Sequence, residues 1–377
     1  STMDSDVPLF GYGTDKILAK VISNRFAYKA KEDGSILEVN DKLGYILVEY
    51  KSGKRDIIDI SNKQALNTGS GFYINNKLSP VHTEIGKKFK EGDVIALNKD
   101  FFRYDPISGD VVYTSGPLVR VGIIHGSCVF EDSTLVTERL AERLSSYVTE
   151  KKDICIGKNS NIYHIAKIGD TVKVGDPLLV FDESYEDEYL NKLLAKMKED
   201  EKEDLINAGK TPIKSKYNGK IIDIKIYYTV PKNELSETLQ DVINLYEKPI
   251  KARLKSFNEN NINIKDLTSL NELPQHTEPI NGKIKGVKMN DNEVLIEFYI
   301  QTVDKFSPGD KVTYSTALKG INQALIPIGK EPYLASDPSE KIDSFMSVSG
   351  YYSRMTNSFA LSLALNTTLL GAEKKIA

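Results

Sequence analysis

Cysteine and histidine are scarce in this 377-residue chain, at two and four residues. Cys128 and Cys155 lie far apart and form no C-x-x-C pair, which excludes a disulfide framework and a closely spaced zinc site and fits a reducing, cytoplasmic setting. His82, His125, His164 and His276 do not cluster at metal-ligand spacing. H-E-x-x-H, G-x-x-x-x-G-K-[ST] and G-x-S-x-G are all missing, so catalysis by those self-contained devices is excluded. Gly11-Tyr12-Gly13 and Gly69-Ser70-Gly71 lack the third glycine of a dinucleotide fingerprint and read as turns. No uncharged apolar run approaches the ~18 residues of a membrane helix, and no basic-then-apolar leader opens the chain.

What is present is ordinary globular material: 40% hydrophobic and 27% charged residues, with a mean hydropathy of -0.33. The length allows two or three domains. Net charge is -3, but Asp182–Asp204 alone carries -6, leaving the remainder mildly basic at +3. That is compatible with part of a phosphate-binding channel and short of a freestanding DNA binder.

β-Branched and aromatic runs broken by Gly-Asp, Asn-Gly and Asp-Gly turns predict strands at Ser35–Val39, Tyr45–Tyr50, Asp56–Ile60, Val111–Thr114, Leu118–Ile124, Lys220–Tyr228 and Glu293–Gln301. Helices are predicted at Leu135–Thr149, Tyr185–Ala208, Glu234–Phe257 with a kink at Pro249, and Arg354–Leu370 behind a Ser353 N-cap. Asn258–Glu278 reads as a connecting loop. Gly-Asp recurs at Gly92-Asp93, Gly169-Asp170, Gly175-Asp176 and Gly309-Asp310, which suits tight turns with Asp bonding the backbone two residues on. Lipoyl and biotinyl carrier domains share a doubled Gly-Asp pattern, and Met197-Lys198 is the one candidate for their modified lysine; plain barrel turns are the simpler reading.

Four constellations bear on chemistry. Glu131-Asp132 stand just ahead of a predicted helix, as a cap or as a pair near a metal. Lys311 and Lys319 flank a polar loop, Val312–Leu318, that can aim two ammonium groups at one polyanion. Arg354 sits at a predicted helix start, where guanidinium and helix amides suit a phosphate. Gly11–Lys16 is uninformative alone.

In order and spacing these segments resemble the C-terminal half of the β subunit of multi-subunit RNA polymerases. That family carries G-T-G-M-E-R, D-G-x-V…V-D, N-F-E-D-[AS]-I-L-[IV]-S-E-R, a flap insertion, G-D-K-M-A-G-R-H-G-N-K-G and L-G-V-P-S-R-M. The counterparts are Gly11–Lys16, Asp33–Asn40, Val129–Arg139, residues 150–284, Gly309–Gly320 and Gly350–Met355, with Ala65–Leu97 matching a further run. Val312–Leu318 keeps neither R-H nor G-N, and Lys16 replaces arginine, so the chain resembles the split, divergent β subunits of giant phiKZ-like bacteriophages.

The resemblance implies an α+β, mostly β fold: a double-psi β-barrel with an inserted flap or wall domain and barrel-sandwich-like β modules. Its domains would be a 1–29 arm, a 30–110 β-rich module, barrel parts at 111–150 and 285–377, and the insert at 151–284, whose acidic helix faces solvent or a protein partner, away from nucleic acid. It implies nucleotidyl transfer by a complex, with no activity alone. Lys311 and Lys319 would grip RNA 3′-end and nucleotide phosphates, while Arg354 and Lys16 meet the incoming triphosphate. Glu131 and Asp132 would lie near a nucleotide-borne Mg²⁺, whose partner ion is held by a β′-like chain bearing D-F-D-G-D, so this chain ligates no metal directly. Further implied partners are an N-terminal β-like subunit, template DNA, nascent RNA and NTPs, but no membrane, in a bacterial host's cytoplasm or packaged in the virion. The alternative is a biotinyl- or lipoyl-like or other β-barrel binding protein without catalysis.

Overall fold

The computed structural model describes residues 2–11, 13–66, 71–183, 210–260, 273–314, 318–354 and 357–376. Tyr185–Ala208, most of Asn258–Glu278, and Met197-Lys198 lie outside them. As expected, strands dominate.

The largest unit is a seven-stranded sheet built on one long pairing, Ser146–Gly157 against Glu293–Asp304, in register over all twelve residues. Gly219–Tyr228 flanks it on the other side. Period-two alternation divides the two faces of this sheet. Ile154, Ile156, Ile224, Ile226, Val294, Ile296 and Phe298 form the apolar face, and the helix Glu237–Glu259 buries Leu239, Val242 and Ile243 against it. Lys151, Glu297 and Tyr299 stand on the opposite face; Lys151 donates to Glu297 at 2.9 Å. Ser236 caps the helix, with Leu239 N–H donating to its Oγ at 3.3 Å, and the helix continues through Pro249.

The C-terminal half of that helix leaves its own core and docks on a second module. There Arg55–Asp59, Tyr45–Tyr50, Gly34–Asn40 and Lys88–Phe89 pair in that order around Ile36, Ile46, Val48 and Ile58. Phe257 meets the Tyr45 ring edge-to-face at 5.2 Å, and Arg253 pairs with Asp59 at 2.6 Å. The insert and the 30–110 module are therefore packed together.

Five strands, β1 to β5 in chain order, make the third unit: β1 Val121–Ile124, β2 Ser133–Thr137, β3 Lys311–Tyr314, β4 Leu318–Ile326 and β5 Ser344–Ser347. Their spatial order is β1-β5-β2-β4-β3, with β1/β5 and β2/β4 parallel, and β2/β5 and β3/β4 antiparallel. Two chain segments separated by the insert thus interleave in one sheet. Val111–Tyr113 pairs instead with Phe102–Tyr104, and residues 293–304 join the seven-stranded sheet, so the sheets cross the boundaries drawn from sequence at 110 and 284. Residues 2–6 are stapled to this unit: Met3 N–H donates to the Ser145 carbonyl at 2.7 Å, and Arg143 holds Asp4 and Asp6.

The Leu135–Thr149 helix is corrected. Leu135 and Val136 belong to β2, Thr137 caps a short helix Glu138–Leu144 through Leu140 N–H at 3.2 Å, and Ser146 opens a new strand. The Arg354–Leu370 helix is corrected as well. Ser347 caps a helix Val348–Tyr352 that Ser353 ends, and the long helix is Asn357–Ile376. The four Gly-Asp turns share one geometry: glycine takes positive φ, and the aspartate accepts at 2.8 Å from the backbone N–H three residues earlier, at Lys90, Lys167, Lys173 and Ser307. The bond runs backward by three residues, not forward by two, because the Gly φ turns the Asp side chain toward the incoming strand.

Candidate functional site

The N-terminal end of β2 is where separate parts of the chain converge. Its lead-in, Phe130-Glu131-Asp132, is tightly turned, with Glu131 at φ 50 in the left-handed region that non-glycine residues seldom enter. Two glycines permit the turn. A Cβ on Gly350 would sit 2.4 Å from the Glu131 carbonyl oxygen, and one on Gly320 would sit 2.3 Å from Thr134 Cγ2 and 2.9 Å from the Asp132 carbonyl oxygen. Ile321 N–H donates to that same Asp132 carbonyl at 2.8 Å. The backbone of the two acids is thereby clamped between β4 and the helix Val348–Tyr352.

Glu131 and Asp132 precede a strand, and Thr137 caps the helix, so the capping explanation of the acids fails. Asp132 is instead bound to Arg354. The guanidinium donates through Nη2 to Asp132 Oδ1 and through Nη1 to the Lys319 carbonyl at 3.4 Å. Arg354 follows the helix Val348–Tyr352 and precedes the helix Asn357–Ile376, lying outside both. One cleft is lined by Glu131, Asp132, Lys319, Gly350 and Arg354, floored by Tyr314 and Met346.

Lys311 and Lys319 lie on strands and not at a loop tip; residues 315–317 between them are outside the described set. Lys311 pairs with Ile321 and Thr313 with Lys319. Directly opposed residues share a face, as do i and i+2 on one strand, so the two lysines are diagonal neighbours with Cβ atoms about 7–8 Å apart. Both are exposed, while the alternate residues Tyr314, Leu318, Gly320 and Asn322 are buried. Lys319 faces the cleft with the acids, whereas Lys311 borders an adjoining one with Asp304, Lys305 and Ser146. The hairpin is held from beneath: Tyr314 Oη bonds Ser344 Oγ, which donates to the Leu135 carbonyl at 2.8 Å. Burial pushes the Tyr314 phenol up, and the hydroxyls of Ser344, its hydrogen-bond partner, and of Thr134 oppose it.

Lys16 is elsewhere. It lies on the helix Thr14–Val21, pairs with Asp110 at 3.1 Å, and is not among the residues lining the cleft of Asp132 and Arg354. Arg139 of the acid-lead segment holds Asp343 at 2.8 Å and serves β5. Sequence reasoning missed Tyr314 and Ser344, and it gave no role to Gly320 and Gly350, which end and open two of the recognised motifs.

Among the described residues no three His, Cys, Asp or Glu side chains gather as a metal-ligand set. Glu131 and Asp132 are two carboxylates, one already neutralised by Arg354, so by themselves they do not fit a resident Mg²⁺. No helix among the described residues is long and apolar enough to cross a membrane. The family described as RNA polymerase Rpb2, domain 6, matches residues 110–374. No curated protein matches the chain.

Proposed function

Because the chain belongs to the RNA polymerase Rpb2 domain 6 family, and so has a β-subunit role in a multi-subunit RNA polymerase, we propose that the cleft at the head of β2 is its contribution to nucleotidyl transfer. Lys311 and Lys319 act as point charges on the RNA 3′-end and nucleotide phosphates, and Arg354 acts on the triphosphate. Glu131 and Asp132 contribute through water to the environment of a nucleotide-borne Mg²⁺, the ion's protein ligands coming from a β′-like D-F-D-G-D chain. Mg²⁺ supplies charge neutralisation on the leaving pyrophosphate. Lys16 would reach a triphosphate only after leaving Asp110.

The observation that carries this reading is the contact of Arg354 with both Asp132 and the Lys319 backbone, which brings three separate sequence segments to one cleft. Fixed cations catalyse phosphoryl transfer when they are already aimed at the developing charge and need no reorganisation. Here the arginine is fixed by an acid and a carbonyl, and the lysines by hairpin register. Under this reading the chain alone is inert, because the ion's protein ligands come from its partner chain. The test is co-purification with its partner chains followed by primer extension: wild-type assemblies extend, and Lys311→Ala or Lys319→Ala assemblies of unchanged composition do not. Full extension by the double variant would overturn it.

A further inference from the structure

The segment from Ile280 to Met289 breaks two local rules at once. It consists of two consecutive two-residue turns. Asn281-Gly282, with φ 53 and 68, closes the Ile280–Lys283 bridge, and Lys285-Gly286, with φ 49 and 85, joins Lys283-Ile284 to Val287-Lys288. Left-handed φ at both central positions is the geometry that favours Asn or Asp followed by Gly. Asn281 obeys that preference and Lys285 does not. In addition, Lys283 and Lys288 are direct cross-strand partners, placing two positive charges about 4.5–5.5 Å apart at Cβ, an unfavourable pairing.

No ion pair offsets either cost. Lys283, Lys285 and Lys288 are all exposed, and among the described residues none meets a carboxylate within 4.0 Å. Of the acids close by in sequence, Glu278 and Asp291 form no ion pair with these lysines, and Glu293 is occupied by the Asn290 backbone and side chain at 2.8 and 3.0 Å. Lys285 Nζ lies 6.0 Å from the Tyr227 ring centre, which orients it without neutralising it. The hairpin is nonetheless fixed, because Ile284 and Met289 are buried against Tyr227 and Leu295. The hairpin therefore presents three ammonium groups that no carboxylate among the described residues neutralises.

We propose that this hairpin is a contact point for the phosphate backbone of nucleic acid, separate from the cleft at β2. Positions where sequence breaks a local rule without internal compensation are where function is expected. A polyanion cancels the Lys283–Lys288 repulsion on binding, and three lysines in one hairpin suit successive phosphates read without base specificity. The choice of nucleic acid over an acidic protein segment rests on the polymerase reading above.

The test is fluorescence anisotropy of the full chain with fluorescein-labelled double-stranded DNA, repeated over a range of salt. Each duplex phosphate contact contributes about 0.9 to the slope of log affinity against log salt. Lys283→Ala/Lys288→Ala should lower that slope by about 2. Lys285→Asn installs the residue the turn prefers, so it should lower the slope by about 1 while the melting temperature stays level or rises. Lys54→Ala/Lys90→Ala removes equal charge elsewhere and should leave the slope unchanged. Three results overturn the proposal: an unaltered slope in the hairpin variants, an equal drop in the Lys54/Lys90 control, or hairpin variants that keep DNA but lose an acidic protein from the assembled enzyme. Binding is read without nucleotide addition. If the chain binds DNA through the hairpin but its assembly with the partner chains supports no extension, the proposed function alone is sunk, and the converse sinks only the hairpin.

Discussion

Arg354 and Asp132, 222 positions apart in sequence, are joined by an ion pair whose guanidinium also bonds the Lys319 backbone. The pair is partly exposed, with side-chain accessibilities of 30% and 51%, a setting where ion pairs contribute only about 0–1 kcal/mol to folding. Its worth therefore lies in aiming the arginine.

Arg354→Ala should leave the unfolding midpoint almost unmoved and lower extension by roughly 10- to 100-fold, the equivalent of one lost charge-assisted hydrogen bond. The loss should fall on the KM for nucleotide. Asp132→Asn should give a smaller loss of the same kind. A variant that unfolds early but extends normally once folded would refute the assignment.

Lys311→Ala and Lys319→Ala should each slow extension by about 10²-fold or more, the cost of one preorganised transition-state contact. Both residues are exposed strand positions, so circular dichroism and melting should match the parent. Single-turnover extension by the reconstituted enzyme is the measurement. If only Lys319 matters, Lys311 belongs to the adjoining cleft it borders.

Gly320→Ala and Gly350→Ala should be costly although alanine is small. The new methyl groups would meet atoms at 2.3 Å and 2.4 Å, in the second case a backbone oxygen that cannot move without displacing Glu131. Overpacking of this kind costs about 1–3 kcal/mol. Urea unfolding would report it as a lower midpoint at constant slope; Gly371→Ala, where a Cβ meets nothing within 4 Å, is the matched control.

The Asp59–Arg253 pair predicts an acid-sensitive joint between the long helix and the 30–110 module. Burial would raise the Asp59 carboxyl, but Arg253, Lys63 and Ser61 outweigh it and hold it at about 2. A carboxyl depressed in the folded state stabilises the protein above its unfolded value near 4, and that stability is lost as pH falls from about 4 toward 2. The contribution is on the order of 2 kcal/mol. Asp59→Asn should abolish the pH dependence in that window, and at neutral pH it should remove that contribution of about 2 kcal/mol. Urea midpoints of the two proteins that stayed parallel from pH 6 to pH 2.5 would contradict this.

Strand periodicity was legible because alternation is a local signal: the expected Tyr45–Tyr50 strand is reproduced to the residue, and Lys220–Tyr228 and Glu293–Gln301 are found extended by one and three residues. The helix expected from Leu135 failed because Leu135, Val136 and Leu140 fit a helical spacing as well as a strand followed by a helix. Only the pairing of β2 with both β4 and β5 selects the second. Ser353 and Ser347 are equally good N-caps by composition, and the contact of Gly350 with Glu131 places the short helix after Ser347.

The sequence by itself determined the chemistry available: two lysines, two acids and an arginine in family order, with cysteines and histidines too scattered to signal a soft-metal site. Tertiary structure decided which of them meet. Hairpin register set both lysines on one face, two missing Cβ atoms let the Glu131-Asp132 turn close, and Lys16 was left with Asp110. Side-chain identity is written in the chain, but convergence depends on long-range pairing and close backbone approach, which no local pattern encodes.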